Sequence, residues 1–77
     1  MQTYTTSDLA LATTLSLFFP IETIDKTNPK RALFVFEKSP DLDKTIYEFY
    51  HDTLKIAPQV FFSKLREVKT RLYENIT

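Results

Sequence analysis

The only histidine of the chain, His51, is followed directly by a carboxylate, Asp52. A carboxylate can hold an imidazole in one tautomer, as a general base requires. Neighbouring residues on a helix point about 100° apart, however, and the sequence places no serine to act as the nucleophile. We therefore predict that His51 interacts with the negative end of a helix dipole, and we expect no catalytic residue.

Acidic side chains in residues 41–52 could offer oxygen ligands to Mg²⁺ or Ca²⁺: Asp41, Asp43, Glu48 and Asp52. Their spacing matches no EF-hand loop, which also requires a sharp glycine turn, and the chain contains no glycine. It contains no cysteine either, so disulfides, thiolate metal sites and a cysteine nucleophile are excluded. We expect a solvated helix face, with no metal and no cofactor.

Basic and aromatic residues alternate near the end of the chain. Four of them share one helical stripe and two more lie on a second exposed line: Phe62, Arg66, Lys69 and Tyr73, then Lys64 and Arg71. Cations beside aromatic rings suit a nucleic-acid backbone with its bases stacked alongside. Alternatively, Phe62 and Tyr73 widen the core stripe while the basic stems lie over its edge. Because the net charge is zero, we expect any nucleic-acid binding to be weak.

The length of 77 residues predicts a single domain, residues 1–77, that buries only about 60% of its unfolded surface. Seven Phe and four Tyr indicate an aromatic core. The apolar run at residues 9–19 is too short to span a bilayer, and we identify no signal peptide. A domain of this size without disulfides fits a reducing cytosol, so we expect a cytoplasmic protein and no membrane partner.

The elements are arranged around one apolar segment, residues 32–36, which is too short for a helix and rich in residues that favour strands. On such a strand Ala32, Phe34 and Phe36 share one face, and Leu33 and Val35 the other. We therefore predict a central buried strand that needs cover on both faces. Residues 21–26 are a plausible partner strand, with a bulge or a late start, and residues 27–30 form the turn of an antiparallel hairpin.

Three helices complete the prediction. The first runs from Ser7 to Phe18, with Leu11, Leu15 and Phe18 on its apolar stripe, and ends before Pro20. The second begins at Ser39 and Pro40 and ends near Asp52, and it buries Leu42, Ile46, Phe49 and Tyr50. The third begins at Pro58, and its apolar positions are Phe61, Leu65, Val68, Leu72 and Ile76. The predicted fold class is α+β, a helix–β-hairpin–helix–helix (αββαα) domain with a two-stranded antiparallel ribbon packed on helices.

Short fragments along nearly the whole chain resemble a small family of bacterial and phage-encoded domains that is catalogued only as a domain of unknown function. They are Thr6-Ser7-Asp8-Leu9, Phe34-Val35-Phe36-Glu37 with Pro40 and Leu42, Glu48-Phe49-Tyr50, and Pro58 with Phe61-Phe62, Leu65-Arg66 and Arg71-Leu72-Tyr73. The resemblance implies a compact α+β unit and supplies no activity, cofactor or catalytic residue. The turn at residues 27–30 departs from the family pattern. The resemblance implies a tighter hairpin that contains glycine, and this turn has none.

Two functional hypotheses follow. The first is a non-enzymatic protein-interaction module, an accessory domain of phage or mobile-element type, which self-associates as a homodimer because the hairpin leaves a strand edge open. The alternative is a weak nucleic-acid-binding domain that uses the last helix. No group of residues combines a base, a nucleophile and an oxyanion site, so we do not expect an enzyme.

Overall fold

The computed structural model describes residues 2–74. They form six elements: β1 (Thr3–Thr6), α1 (Leu9–Ser16), β2 (Thr23–Asp25), β3 (Leu33–Glu37), α2 (Pro40–Tyr50) and α3 (Pro58–Tyr73). The predicted small α+β domain with three helices is confirmed. The order is βαββαα, because the chain begins with a strand that the sequence prediction lacks. The predicted contact residue Ile76 lies outside the described residues.

The three strands form one antiparallel sheet in the order β1-β3-β2, with β3 in the centre. The β2–β3 hairpin is confirmed, but the two-stranded ribbon is wrong. The sequence analysis begins the first helix at Ser7 and assigns no element to the residues before it. Threonine and tyrosine favour strands, and in β1 that preference prevails since β3 offers an edge to pair with.

Only one face of the sheet is covered by helices. Phe34 and Phe36 of β3 are buried, whereas Leu33 and Val35 on the other face are half-buried. Thr5 of β1 and Thr23 of β2 flank Val35 in register and are exposed. The expectation that both faces need cover is therefore wrong, because neighbouring threonines shield the outer apolar residues.

Strand β2 starts late. Its first residue, Thr23, is paired with Val35, and the preceding amide, that of Glu22, donates to the same Val35 carbonyl at 2.8 Å. Two residues opposite one is the arrangement of a β-bulge. The late start puts Ile24 opposite Phe34 on the inner face. The sequence analysis predicted a bulge or a late start for this strand, and the structure has both.

Helix α1 lies at the centre of the helical layer and contacts both α2 and α3. Its residues 11–15 are all buried, so one full turn of the helix has no solvent-facing side. The Asp8 carboxylate caps it by accepting from the Leu11 amide at 3.2 Å. The helix ends at Ser16, two residues earlier than predicted, because the Phe18 amide donates to Leu15 in a tighter turn. Phe18 is consequently exposed, which corrects its assignment to the apolar stripe.

Two neighbouring threonines of α1 differ in their hydrogen bonding. Thr14 is buried, and its hydroxyl donates to the Ala10 carbonyl at 2.9 Å. The Thr13 hydroxyl is also buried and has no hydrogen-bond partner within residues 2–74. An unpaired buried hydroxyl costs stability, because it has lost its bonds to water.

Helix α2 begins as predicted. The Ser39 hydroxyl accepts from the Leu42 amide at 3.1 Å, and Pro40 occupies the first helical position. Leu42 is buried, but Tyr50 is 60% exposed and does not belong to the buried face. On the helix Tyr50 lies about 80° from Leu42, which is far enough to leave the buried stripe.

The end of α2 needs a left-handed residue, and in a chain without glycine Asp52 fills the position with φ of 56°. The Asp52 amide donates to the Phe49 carbonyl at 3.3 Å, and the Thr53 amide donates to the Glu48 carbonyl at 3.1 Å. Together these bonds form a Schellman motif, whose left-handed residue is usually glycine. Asp52 therefore stores backbone strain.

We expect Asp52→Gly to raise the free energy of unfolding by about 1 kcal/mol, because glycine adopts positive φ without a Cβ clash. In a domain of this size the melting temperature should rise by about 4–8 °C in thermal denaturation followed by circular dichroism. Asp52→Ala, which keeps the Cβ, should give no such gain. A fall in melting temperature for Asp52→Gly would contradict the strain argument.

Candidate functional site

The aromatic residues Phe62 and Tyr73 of α3 lie outside the core. Phe62 is 54% exposed and Tyr73 is 72% exposed, so neither widens the core stripe. Arg66 and Lys69 lie between them on the same stripe and are exposed as well. These four side chains form a continuous solvent-facing line along α3, which we call the α3 stripe.

The other two predicted residues lie on a different side of the helix. Lys64 and Arg71 are about 140–160° around the helix axis from Arg66 and Lys69. The Lys64 ammonium pairs with the Glu67 carboxylate at 3.1 Å, and both Lys64 and Arg71 face the chain just after α1. The structure therefore does not bring the six predicted residues together on one surface.

A basic cleft that sequence reasoning missed adjoins the Tyr73 end of the α3 stripe. It lies between the β2–β3 turn and the end of α3, has a volume of about 390 Å³, and is lined by Lys26, Asn28, Pro29, Lys30, Arg31, Ala32, Leu72 and Tyr73. The Lys26 ammonium donates to the carbonyls of Arg71 and Glu74, both at 3.2 Å, and so joins the turn to the end of the helix. The sequence signal was present, since no acidic residue occurs between Asp25 and Glu37.

The turn that carries Lys30 and Arg31 is held by its own hydrogen bonds. The Asn28 side-chain oxygen accepts from the Lys30 amide at 2.9 Å, and the Asn28 carbonyl accepts from the Arg31 amide at 3.1 Å. Pro29 between them has a fixed φ, so the turn is rigid without glycine. Lys30 and Arg31 are exposed and form no ion pair with any residue from 2 to 74.

Asp25 is the carboxylate nearest in sequence to this turn. Its Oδ1 accepts from the Thr27 amide at 2.9 Å. Hydrogen bonds from the Thr27 side chain and backbone hold the pKa of Asp25 below its usual range. Asp25 therefore remains ionised at neutral pH and partly offsets the positive charge of the cleft.

His51 occupies the position that the sequence predicted, at the carboxyl end of α2. Its Nδ1 lies 2.8 Å from the Tyr47 carbonyl oxygen, so the ring donates to a terminal carbonyl of the helix. The ring also stacks on Tyr47 with centroids 3.9 Å apart. These contacts orient His51 as a helix cap.

The acidic residues of α2 do not converge. Asp43 pairs with the Lys38 ammonium at 2.9 Å. Across residues 2–74, the structure contains no group of three or more His, Cys, Asp or Glu side chains that could hold a metal ion. The oxygen ligands considered for Mg²⁺ or Ca²⁺ therefore have no common centre in the described part of the chain.

An apolar groove of about 520 Å³ separates the end of α2 from the start of α3. Its walls are mainly aromatic and aliphatic, formed by Phe49, Tyr50, Leu54, Ile56, Pro58, Phe61 and Phe62 together with Thr14 and Asp52. The sequence analysis assigns no element to residues 54–57 and so missed the groove.

Strand β1 leaves one edge of the sheet open. The Lys38 amide donates to the Gln2 carbonyl at 3.0 Å, so in an antiparallel ladder the even-numbered residues of β1 bond to β3. The backbone groups of Thr3 and Thr5 therefore point away from the sheet. Charged residues and proline usually protect an edge strand from pairing with another chain. Residues 2–7 contain neither. At the opposite edge, β2 has only three residues and carries the bulge.

Aromatic residues lie beside the open edge. Tyr4 of β1 is half-buried on the inner face of the sheet. Burial raises the pKa of Tyr4, and the neighbouring Tyr50 and Asp8 raise it further. Tyr50 is therefore close to Tyr4, and both Tyr47 and Tyr50 are exposed on α2.

Comparison with known proteins identifies a family for this chain. Within the described residues, no helix is long and apolar enough to cross a membrane. No curated protein and no solved structure matches the chain. A family model matches residues 1–74, nearly the whole chain. The chain therefore belongs to the family described as Domain of unknown function (DUF5659).

Proposed function

We propose that this domain is a small, non-enzymatic protein-interaction module that self-associates, with two copies pairing through the open edge of β1. The supporting observation is the pair of outward-facing residues Thr3 and Thr5, whose amides and carbonyls have no partner within residues 2–74. An unprotected strand edge pairs readily with another strand. Antiparallel pairing of β1 with its copy extends the sheet from three strands to six.

The sequence of β1 suits pairing with itself. A two-fold axis through Tyr4 sets Thr3 opposite Thr5 of the second copy and brings the two Tyr4 residues face to face. Threonine and aromatic cross-strand pairs each stabilise a sheet by roughly 0.2–1 kcal/mol. No charged residue lies in residues 2–7, so the pairing creates no like-charge contact along the strand.

The aromatic flank of α2 gives the interface its apolar area. Four residues of backbone pairing bury little surface, and stable interfaces depend on a few well-packed aromatic anchors. Tyr50 is close to Tyr4 of β1, Tyr47 and Tyr50 are both exposed on α2, and we propose that the second copy covers them. Tyrosine is enriched at such interfaces, because its ring is apolar and its hydroxyl tolerates water.

Light scattering at high micromolar concentration tests the proposal, and we expect the mass of a dimer. Thr5→Pro removes an amide that points away from β3, so the fold should persist while the dimer dissociates. A circular dichroism melt checks that the variant is folded. A parent protein that is monomeric at this concentration would overturn the proposal.

The chain offers a matched control for the edge. Thr5 of β1 and Thr23 of β2 are both exposed, and both lie opposite Val35 on the outer face of the sheet. Thr5→Lys should therefore shift the mass towards the monomer, because a charged side chain in an edge strand opposes its pairing with a second strand. Thr23→Lys should leave the dimer intact. The reverse result would show that β2 is the pairing edge and would contradict the proposal.

A further inference from the structure

We propose that the basic cleft, continued along the α3 stripe, binds single-stranded nucleic acid. The cleft supplies cations for phosphate, and the stripe supplies aromatic rings for bases. This surface lies at the β2 side of the sheet, away from the β1 edge. The inference therefore does not depend on self-association.

The phosphate-binding end of this surface is the β2–β3 turn. Lys30 and Arg31 are adjacent in sequence, exposed and without an ion pair among the described residues. The two bonds to Asn28 fix the backbone beneath them, so little backbone freedom is lost when they meet a ligand. Lys26 adds a third positive charge, although its ammonium already contacts the last carbonyls of α3. Two acidic residues adjoin this end of the surface: Asp25, the last residue of β2, and Glu74, whose carbonyl accepts from Lys26.

A stacking platform lies in the same cleft. Tyr73 lines the cleft with Lys30 and Arg31 and is 72% exposed. An exposed aromatic ring beside two cations can stack on a base while the cations bind the adjoining phosphates. Stacking requires an unpaired base, and this requirement points to a single strand.

The α3 stripe extends the surface beyond one nucleotide. Tyr73 and Phe62 are eleven residues apart, which is about 16 Å along a helix axis. Arg66 and Lys69 lie between them, and all four side chains are exposed. Rings at both ends with cations between them match a strand in which phosphates and bases alternate. An oligonucleotide should therefore bind better than a mononucleotide.

Fluorescence anisotropy with a labelled dT oligonucleotide of twelve residues tests the proposal at low salt and tens of micromolar protein. Four cations, Lys30, Arg31, Arg66 and Lys69, predict a log–log salt slope of about −3. Thymidine monophosphate, a duplex of the same length and a glutamate peptide of equal charge are the comparison ligands. Each should bind at least about tenfold more weakly than the single strand, because each lacks either the chain length or the unpaired bases.

Variants locate the surface. Lys30→Glu with Arg31→Glu should weaken binding at least about tenfold and reduce the slope to about −1.5. Lys44→Glu with Arg71→Glu makes the same change in net charge on other surfaces and should have little effect. Tyr73→Ala should weaken binding by about fivefold to 150-fold, the range for one lost stack, whereas Tyr73→Phe should retain it. Thermal melts confirm that each variant is folded.

Three results would overturn the inference. The first is no binding to the single strand under these conditions. The second is equal weakening by the two charge-reversal pairs, which would indicate only a general electrostatic attraction. The third is binding of the duplex, the mononucleotide or the glutamate peptide as tight as that of the single strand, since stacking along α3 would then contribute nothing.

Discussion

Phe36→Ala is expected to lower the free energy of unfolding by about 3–5 kcal/mol, most of the stability of so small a domain. Phe36 is 0% exposed and lies on the inner face of the central strand, opposite Tyr4. It belongs to the core cluster with Leu11, Leu15 and Leu42. Removing the ring leaves a cavity that strands on both sides and helices above cannot easily fill. Urea denaturation followed by circular dichroism measures the change.

The neighbouring residue on the same strand is the control. Val35 is half-buried on the outer face and is flanked by two exposed threonines. Val35→Ala removes fewer atoms and leaves no closed cavity, so its cost should be well below that of Phe36→Ala. Equal losses for the two variants would show that the inner face does not carry the core.

Thr13→Val is expected to stabilise the protein, an unusual direction for a core substitution. The Thr13 hydroxyl is buried in α1 and has no partner within residues 2–74, whereas valine has almost the same shape and no polar group. Removing an unpaired buried hydroxyl should raise the free energy of unfolding by about 1–2 kcal/mol. Thermal denaturation should show an increase of roughly 4–16 °C in melting temperature.

Thr14→Val makes the same chemical change one residue along the same helix. The Thr14 hydroxyl donates to Ala10, so its removal deletes a hydrogen bond that is already made. We expect no gain in stability, or a small loss, from this control. If both variants shift the melting temperature equally, the difference in hydrogen bonding between the two hydroxyls has no energetic consequence and the prediction for Thr13 is wrong.

The features predicted correctly from sequence are those with a local physical cause. Ser39 and Pro40 marked the start of α2, because a cap and a fixed φ act within one turn. Pro58 marked the start of α3 in the same way, because its φ is fixed at a value that suits the first turn of a helix. The apolar run at residues 32–36 identified the central strand, because it is too short for a helix and its aromatic and β-branched residues favour strands.

The errors concern contacts between segments that are distant in the chain. Strand β1 has one half-buried ring among threonines, so its pairing with β3 left no apolar alternation to detect. Phe18 and Tyr50 were expected in the core because their positions suit an apolar stripe, but Phe18 follows the end of α1 and Tyr50 lies about 80° around α2 from Leu42. The element that packs against a helix determines which of its residues are buried. The periodicity of the helix's own sequence does not show this.

The candidate surface shows the same division. The exposure of Arg66 and Lys69 follows from helical spacing and was anticipated. The approach of Lys30 and Arg31 to Tyr73 depends on Lys26 bonding to the end of α3, a contact across more than forty residues. The association with phages or mobile elements, the cytoplasmic location and the absence of enzymatic activity stay predictions.

Strand β1 also constrains the order in which the chain can fold. It is synthesised about thirty residues before β3, the only strand that pairs with it among residues 2–74. During translation β1 and the buried helix α1 therefore leave the ribosome without the surfaces that cover them. The β2–β3 hairpin, by contrast, joins neighbouring segments and can close quickly. Strand β1 and helix α1 cannot be buried until β3, α2 and α3 have been synthesised. We therefore infer that this fold assembles as a single cooperative unit.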